Sequence, residues 1–404
     1  MSMESCGDRE GRSGRSRYWR YVLCLAIIAV LAVLSFSLVR RSGPQGIEVS
    51  RLRAFEDFTE HVLFSPDAKW LVCTGKDDFK NGDGLVKVWD MSACTGEWLQ
   101  GRRSQPVLAT VLADDGDRSM VQFSHDGSLL VSMGINSGVS VRRAGTWEDL
   151  FCDREARTAV VTPDGTRIAI LKEKAIEIRA LPEFNEVIRI PIEEEKAFNL
   201  LCSSNGEYLL GLGPKSLTVV DTQSNAVVAH GTLTCEHYRW LPGSVGLTHD
   251  DRYLTTLSSE SAFSFDRRKT RPIMPKTVHH RLTFWDRWRN GQPTPDFHIR
   301  IPSWQVHHAC FNASGTTMAV SCVDFGEKTL AERVPFPNED ETLEKRILLL
   351  NTSALAAKRS AIALNGEVET DIPIGHLAFG CGDRLLAGAG ATGEVIVWRL
   401  NPAE

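Results

Sequence analysis

The chain has 404 residues, is 42% apolar and 24% charged, and carries a formal charge of −5. That balance is ordinary for a globular protein and excludes a disordered one. The mild acidity gives no overall attraction for nucleic acid, so no nucleic-acid partner is expected.

In chain order, residues 1–20 read as a polar tail. Residues 21–39 then carry no charge at all. Nineteen residues at helical rise span about 28 Å, close to a hydrocarbon core. Tyr18, Trp19 and Tyr21 suit the interface. The run is longer than the apolar part of a secretory signal, and Ser35-Phe36-Ser37 is a poor cleavage site. The expectation is one uncleaved transmembrane anchor, with the membrane as a partner through residues 21–39. Five arginines precede it (Arg9, Arg12, Arg15, Arg17, Arg20) and four follow (Arg40, Arg41, Arg51, Arg53). This slight excess places the N-terminus in the cytoplasm and the rest in a periplasm or lumen. Residues 40–46 form a short linker.

From Phe64 onward one local pattern recurs, with copies starting at Phe64, Phe123, Val161, Cys202, Leu247, Phe311 and Phe379. Each has an apolar lead residue, a turn and a fresh apolar run. The turns are Asp67-Ala68, Asp126-Gly127, Asp164-Gly165, Asn205-Gly206, Asp250-Asp251, Ser314-Gly315 and, in changed order, Gly382-Asp383. Asp or Asn before Gly closes a tight hairpin, so each copy reads as strand, turn, strand. A third strand follows each: Val86–Asp90, Val139–Arg142, Ile176–Arg179, Leu217–Asp221, Leu282–Asp286, Ile347–Asn351 and Val395–Arg399. Many alternate apolar and polar residues, the period of a strand with unlike faces.

The run Phe64 to Asp90, ending Val88-Trp89-Asp90, resembles a repeat of the WD-repeat family of β-propellers. Trp285-Asp286 gives a second such pair and Trp398 a third tryptophan at that place. The resemblance covers residues 47–400. It implies an all-β, seven-bladed propeller of four-stranded antiparallel sheets, behind the N-terminal transmembrane helix. The family's polar network is thinned: Asp83 stands at the right distance before Trp89, but His279 and Thr392 occupy that place before Trp285 and Trp398. Apolar packing between blades must then hold the ring. An unrelated antiparallel sandwich is the competing fold. The last copy stops after its third strand, and Ile47-Glu48-Val49 is a suitable fourth, so the two ends of the propeller should share a sheet.

Propellers carry function on loops and in the central channel. Two second-to-third-strand loops are long, Ser258 to Arg281 in blade 5 and Val323 to Arg346 in blade 6. The first is basic (Arg267, Arg268, Lys269, Arg271) and the second acidic (Glu339, Asp340, Glu341). Phe263, Phe265, Phe325 and Phe336 are possible anchors of a partner-binding rim. Alternatively, both loops are solvated insertions that pair with each other. Trp285 and Trp288 read as core and covering residues rather than a base-stacking pair.

Neighbouring residues on a strand face opposite ways, so His279-His280 and His307-His308 do not read as metal sites. Residues 76–84 miss calcium-loop spacing, and no C-x-x-C occurs. Cys73, Cys202, Cys310 and Cys322 fall on predicted strands and read as small apolar packing residues. No catalytic motif is present, and no metal or cofactor is expected. The sequence thus points first to a membrane-anchored scaffold binding other proteins. The alternative is an exported propeller enzyme or small-ligand binder working at the channel mouth. Converging carboxylates, histidines or a bound ion at that mouth would favour an enzyme, and a channel lined by plain apolar and small polar side chains the scaffold.

Overall fold

The structure is a computed structural model that describes residues 46–401 except 79–83, 114–119, 135–136, 193–198, 214–215, 234–238, 261–278, 303–304, 325–343, 353–362 and 391. Seven four-stranded antiparallel sheets are arranged as the blades of a propeller. The first strand of each blade is innermost: Phe58–Phe64, Met120–Phe123, Thr158–Val161, Asn199–Cys202, Arg239–Leu247, Gln305–Phe311 and Ile374–Gly380. The predicted seven-bladed propeller and all seven predicted third strands are present.

Ring closure follows the expected route. Strand Gly46–Arg53 lies antiparallel to the last strand, Glu394–Leu400, pairing Ile47 with Arg399 and Arg53 with Glu394. Val49 and Leu52 are buried beneath it, and Ala54 and Phe55 both donate backbone N–H bonds to Gly393 O, at 2.8 and 3.0 Å. The closing strand removes what would otherwise be an open sheet edge in blade 7.

In five of the seven blades the hairpin that ends the inner strand is built on a hydroxyl staple. Ser65, Ser124, Thr162, Ser203 and Thr248 each donate a hydroxyl to the Asp or Asn two residues on, at 2.5 to 2.8 Å. The same hydroxyls accept the backbone N–H five residues on. Each of these turns thus carries two bonds made entirely within the local segment. The fourth turn residue has positive φ in all seven copies, from 53° to 74°. Glycine fills it in four: Gly127, Gly165, Gly206 and Gly315.

In blades 5 and 7 that position is Asp251 and Asp383, and each carboxylate reaches the preceding blade. Asp251 accepts from Ser204 N and Ser204 Oγ, both at 2.7 Å. Asp383 accepts from Asn312 Nδ2, Ala313 N and Ser314 N. Polar links therefore supplement the apolar packing between blades.

Three tryptophans occupy equivalent places, each paired with a leucine across the blade: Leu71 with Trp89, Leu254 with Trp285, Leu386 with Trp398. Two residues beyond those leucines stand Cys73, Thr256 and Gly388. Trp285 Nε1 donates to Thr256 Oγ1 at 2.9 Å. Trp89 Nε1 is buried with no partner. Trp398 packs so closely on Gly388 that a Cβ there would stand 2.8 Å from the ring. Trp285 and Trp288 are core residues, as read from the sequence, with Trp288 Nε1 donating to Asp251 O at 3.1 Å.

Among the described residues no helix is long and apolar enough to cross a membrane. The stretch 21–39 lies outside them.

Candidate functional site

The candidate loop residues, Phe263, Phe265, Arg267, Arg268, Lys269 and Arg271 in blade 5, with Phe325, Phe336, Glu339, Asp340 and Glu341 in blade 6, all lie outside the described residues. Their stems are described. Glu260 pairs with His279 and Asp324 with Glu344, so both loops spring from one face of the ring.

Sequence reasoning missed a second place. The inner strands of blades 6, 7 and 1 each contain a one-residue bulge, at His307, Gly375 and Glu60. The residue after each bulge is a histidine: His308, His376 and His61. Inner strands of blades 2, 3 and 4 carry no bulge. A bulge re-aims the side chain that follows it, and ring closure sets blade 7 between blades 6 and 1. The three rings stack in a row. Ring centroids of His308 and His376 are 4.0 Å apart, and those of His376 and His61 are 3.6 Å apart.

The row is tied to the backbone in one direction. His308 Nδ1 accepts the Leu377 N–H at 3.2 Å, and His376 Nδ1 accepts the Val62 N–H at 3.5 Å. Each donor is the residue just after the next histidine in the row. The pattern ends at His61, whose Nδ1 is buried without a partner. Because a neutral imidazole carries one proton, a ring accepting at Nδ1 carries it on Nε2.

His61 and His376 are held neutral. Enclosure in the channel pushes His61 down to about 3, and repulsion from His308 adds to this. Enclosure also holds His376 well below its ordinary value, with His308 and His61 both opposing its charge.

These histidines form one wall of a cavity of about 550 Å³ in the channel. Phe64, Phe123, Phe311 and Phe379 line it as well. They are the lead residues of repeats 1, 2, 6 and 7, and the corresponding leads of repeats 3, 4 and 5 are Val161, Cys202 and Leu247. The cavity reaches the hairpin turns at Ser65, Ser124 and Gly382, the ring face opposite the long-loop stems.

Cys310 and Cys381 also line it, with burial pushing their thiols up to about 12 and about 11. Neither is a ready nucleophile. Among the described residues no group of three or more His, Cys, Asp or Glu side chains is arranged to hold a metal ion. Nδ1 acceptance by two of the three rings agrees with that.

No known protein family matches the chain by sequence, and no curated protein matches it. By structure it is a seven-bladed β-propeller. It is similar to a chain of the Kuenenia stuttgartiensis hydrazine synthase, with a TM-score of 0.60 and 14% identity, covering 86% of this chain and 97% of that one. Likeness at that identity carries the fold and no activity.

Proposed function

We propose that this chain is a ligand-binding propeller whose site is the channel cavity shared by blades 6, 7, 1 and 2. One observation carries the reading: three imidazoles from equivalent bulged positions meet in an aromatic-lined cavity of ligand size. The neutral His61 and His376 rings and the unreactive Cys310 and Cys381 thiols do not make an acid–base pair, so binding is what is proposed. The test is titration of histidine-labelled protein with a set of small aromatic fragments, followed by nuclear magnetic resonance. Ring signals of His61, His308 and His376 should move while that of exposed His249 stays fixed. Fragments that move only surface histidines would overturn the reading.

A second observation supports the scaffold reading. The outermost strand of blade 1, Val107–Ala113, exposes Val107, Leu108 and Val111, and an exposed apolar edge is a docking surface for other proteins. Charge-reversed loops in blades 5 and 6 would extend that role to the opposite rim. We further propose that residues 21–39 anchor the protein in a membrane, on the strength of their length and lack of charge. Carbonate extraction of membranes should leave the protein in the pellet, and release into the supernatant would remove the anchor. The Trp285–Thr256 bond supports descent of the blades from WD-like repeats.

A further inference from the structure

Resting on the reading of the channel as a ligand site, we propose that its ligand is a neutral, flat aromatic molecule bearing one N–H or O–H donor for His61 Nδ1. Charge, shape and one open bond lead there.

Charge comes first. Among the described residues no lysine or arginine lines the cavity, so an anion would find no permanent counter-charge there. His61 and His376 resist supplying one, because burial and the neighbouring imidazoles both oppose their protonation. Asp383, at the mouth, is already occupied by three donors from blade 6, which leaves little to hold a cation. A charged ligand would leave water with poor compensation.

Shape follows from the four phenylalanines. Their rings offer flat apolar walls, which favour stacked or edge-on aromatic partners.

The open bond is at His61. In this row two imidazoles accept an N–H at Nδ1 from the next blade: His308 from Leu377, His376 from Val62. Among the described residues blade 2 offers no such donor, its inner strand running unbulged from Met120. His61 Nδ1 is consequently buried with nothing to accept from. Leaving a buried acceptor unmade costs about 1–3 kcal/mol. A ligand donor placed there takes the role that Leu377 N and Val62 N play for the other two rings.

The experiment uses the full chain and three fluorescent probes near neutral pH: 2-naphthol, its donor-free parent naphthalene, and the anion 2-naphthoate. 2-Naphthol should bind about tenfold or more tighter than either of the others. In His61→Phe, 2-naphthol should bind no tighter than naphthalene does to that same variant. His61→Gln, which keeps an acceptor, should restore part of the difference, and melting curves of both variants check that they fold. Equal or tighter binding of 2-naphthoate would overturn the proposal, as would a 2-naphthol preference that survives His61→Phe. Aromatic binding without any preference would overturn it while leaving the channel as a ligand site. Failure of all three probes to bind would remove both.

Discussion

Arg51 grips Asp371 through two parallel bonds, Nη2 to Oδ1 at 2.7 Å and Nη1 to Oδ2 at 2.9 Å. The pair joins the closing strand to the crossing from blade 6 into blade 7. Arg51 also meets Glu48 at 2.9 Å, and Asp371 is held below the ordinary carboxylate range by the guanidinium. Asp371 is 65% exposed, so solvent screens the pair and its worth is at most about 1 kcal/mol. Arg51→Ala should lower stability by about that amount in urea melts. Arg51→Lys, which cannot form the two-bond fork, should recover only part. High salt should shrink the difference, and a loss that is salt-independent would assign Arg51 a packing role instead.

Asp251 and Asp383 trade backbone comfort for a tie to the neighbouring blade. Left-handed backbone costs a non-glycine residue about 1–2 kcal/mol, yet a hydrogen bond to a charged group contributes about 1.5–3 kcal/mol. Asp251 accepts two and is buried. Asp251→Gly should therefore destabilise by about 1–2 kcal/mol despite relieving φ. Ala68, at the same turn position with φ 59° and no such tie, should show the opposite sign. Ala68→Gly should gain up to about 1 kcal/mol. Equilibrium denaturation of the two variants checks both signs at once.

The architecture was legible because the same turn chemistry repeats. Asp126-Gly127 and its equivalents announce hairpins locally, and the missing fourth strand after Val395–Arg399 pointed to Ile47-Glu48-Val49. The channel was not legible in the same way. Its signal is His-x-x-Phe at 61–64, 308–311 and 376–379, three copies scattered over the chain. Only closure makes blades 6, 7 and 1 neighbours, and only the bulges turn the rings together. Adjacent pairs such as His307-His308 drew attention instead, although one member of each bulged strand was the relevant one. Long charged loops stood out by length, which says nothing about cavities. Asp251 and Asp383 were visible as departures from the Gly turn, but their reach to another blade depends on packing that no local pattern encodes.

The three equivalent tryptophans predict a matched pair of substitutions. Trp285 Nε1 is satisfied by Thr256, and Trp89 Nε1 has no partner because Cys73 stands in the threonine's place. Thr256→Val keeps the shape and orphans a buried donor, which should cost about 1–3 kcal/mol. Cys73→Ser adds an acceptor beneath Trp89 and should cost less than a buried hydroxyl does elsewhere. A double variant, Cys73→Ser with Trp89→Phe, isolates the new bond. If serine is no better tolerated beside Trp89 than beside Phe, no bond has formed.

The histidine row predicts how stability depends on pH. A ring whose folded value lies below its unfolded value of 6.5 binds fewer protons when folded. Stability from such a ring is full above the unfolded value and declines as pH falls toward the folded one. For His61 that interval runs from 6.5 down to about 3, and each such ring contributes a slope of about 1.4 kcal/mol per pH unit. His376 acts in the same direction. The shifted carboxylates do not confuse the upper part of this interval. Asp126, Asp164 and Asp371 are all held below their ordinary 3.8, so they lose stability only under more acidic conditions. Urea melts between about pH 6.5 and 4.5 therefore read mainly the histidines. Wild-type protein should weaken steadily across that range, and His61→Phe should flatten the slope by about one ring's share. An unchanged slope in His61→Phe would mean that the row accepts protons freely, and the neutral channel would be lost with it.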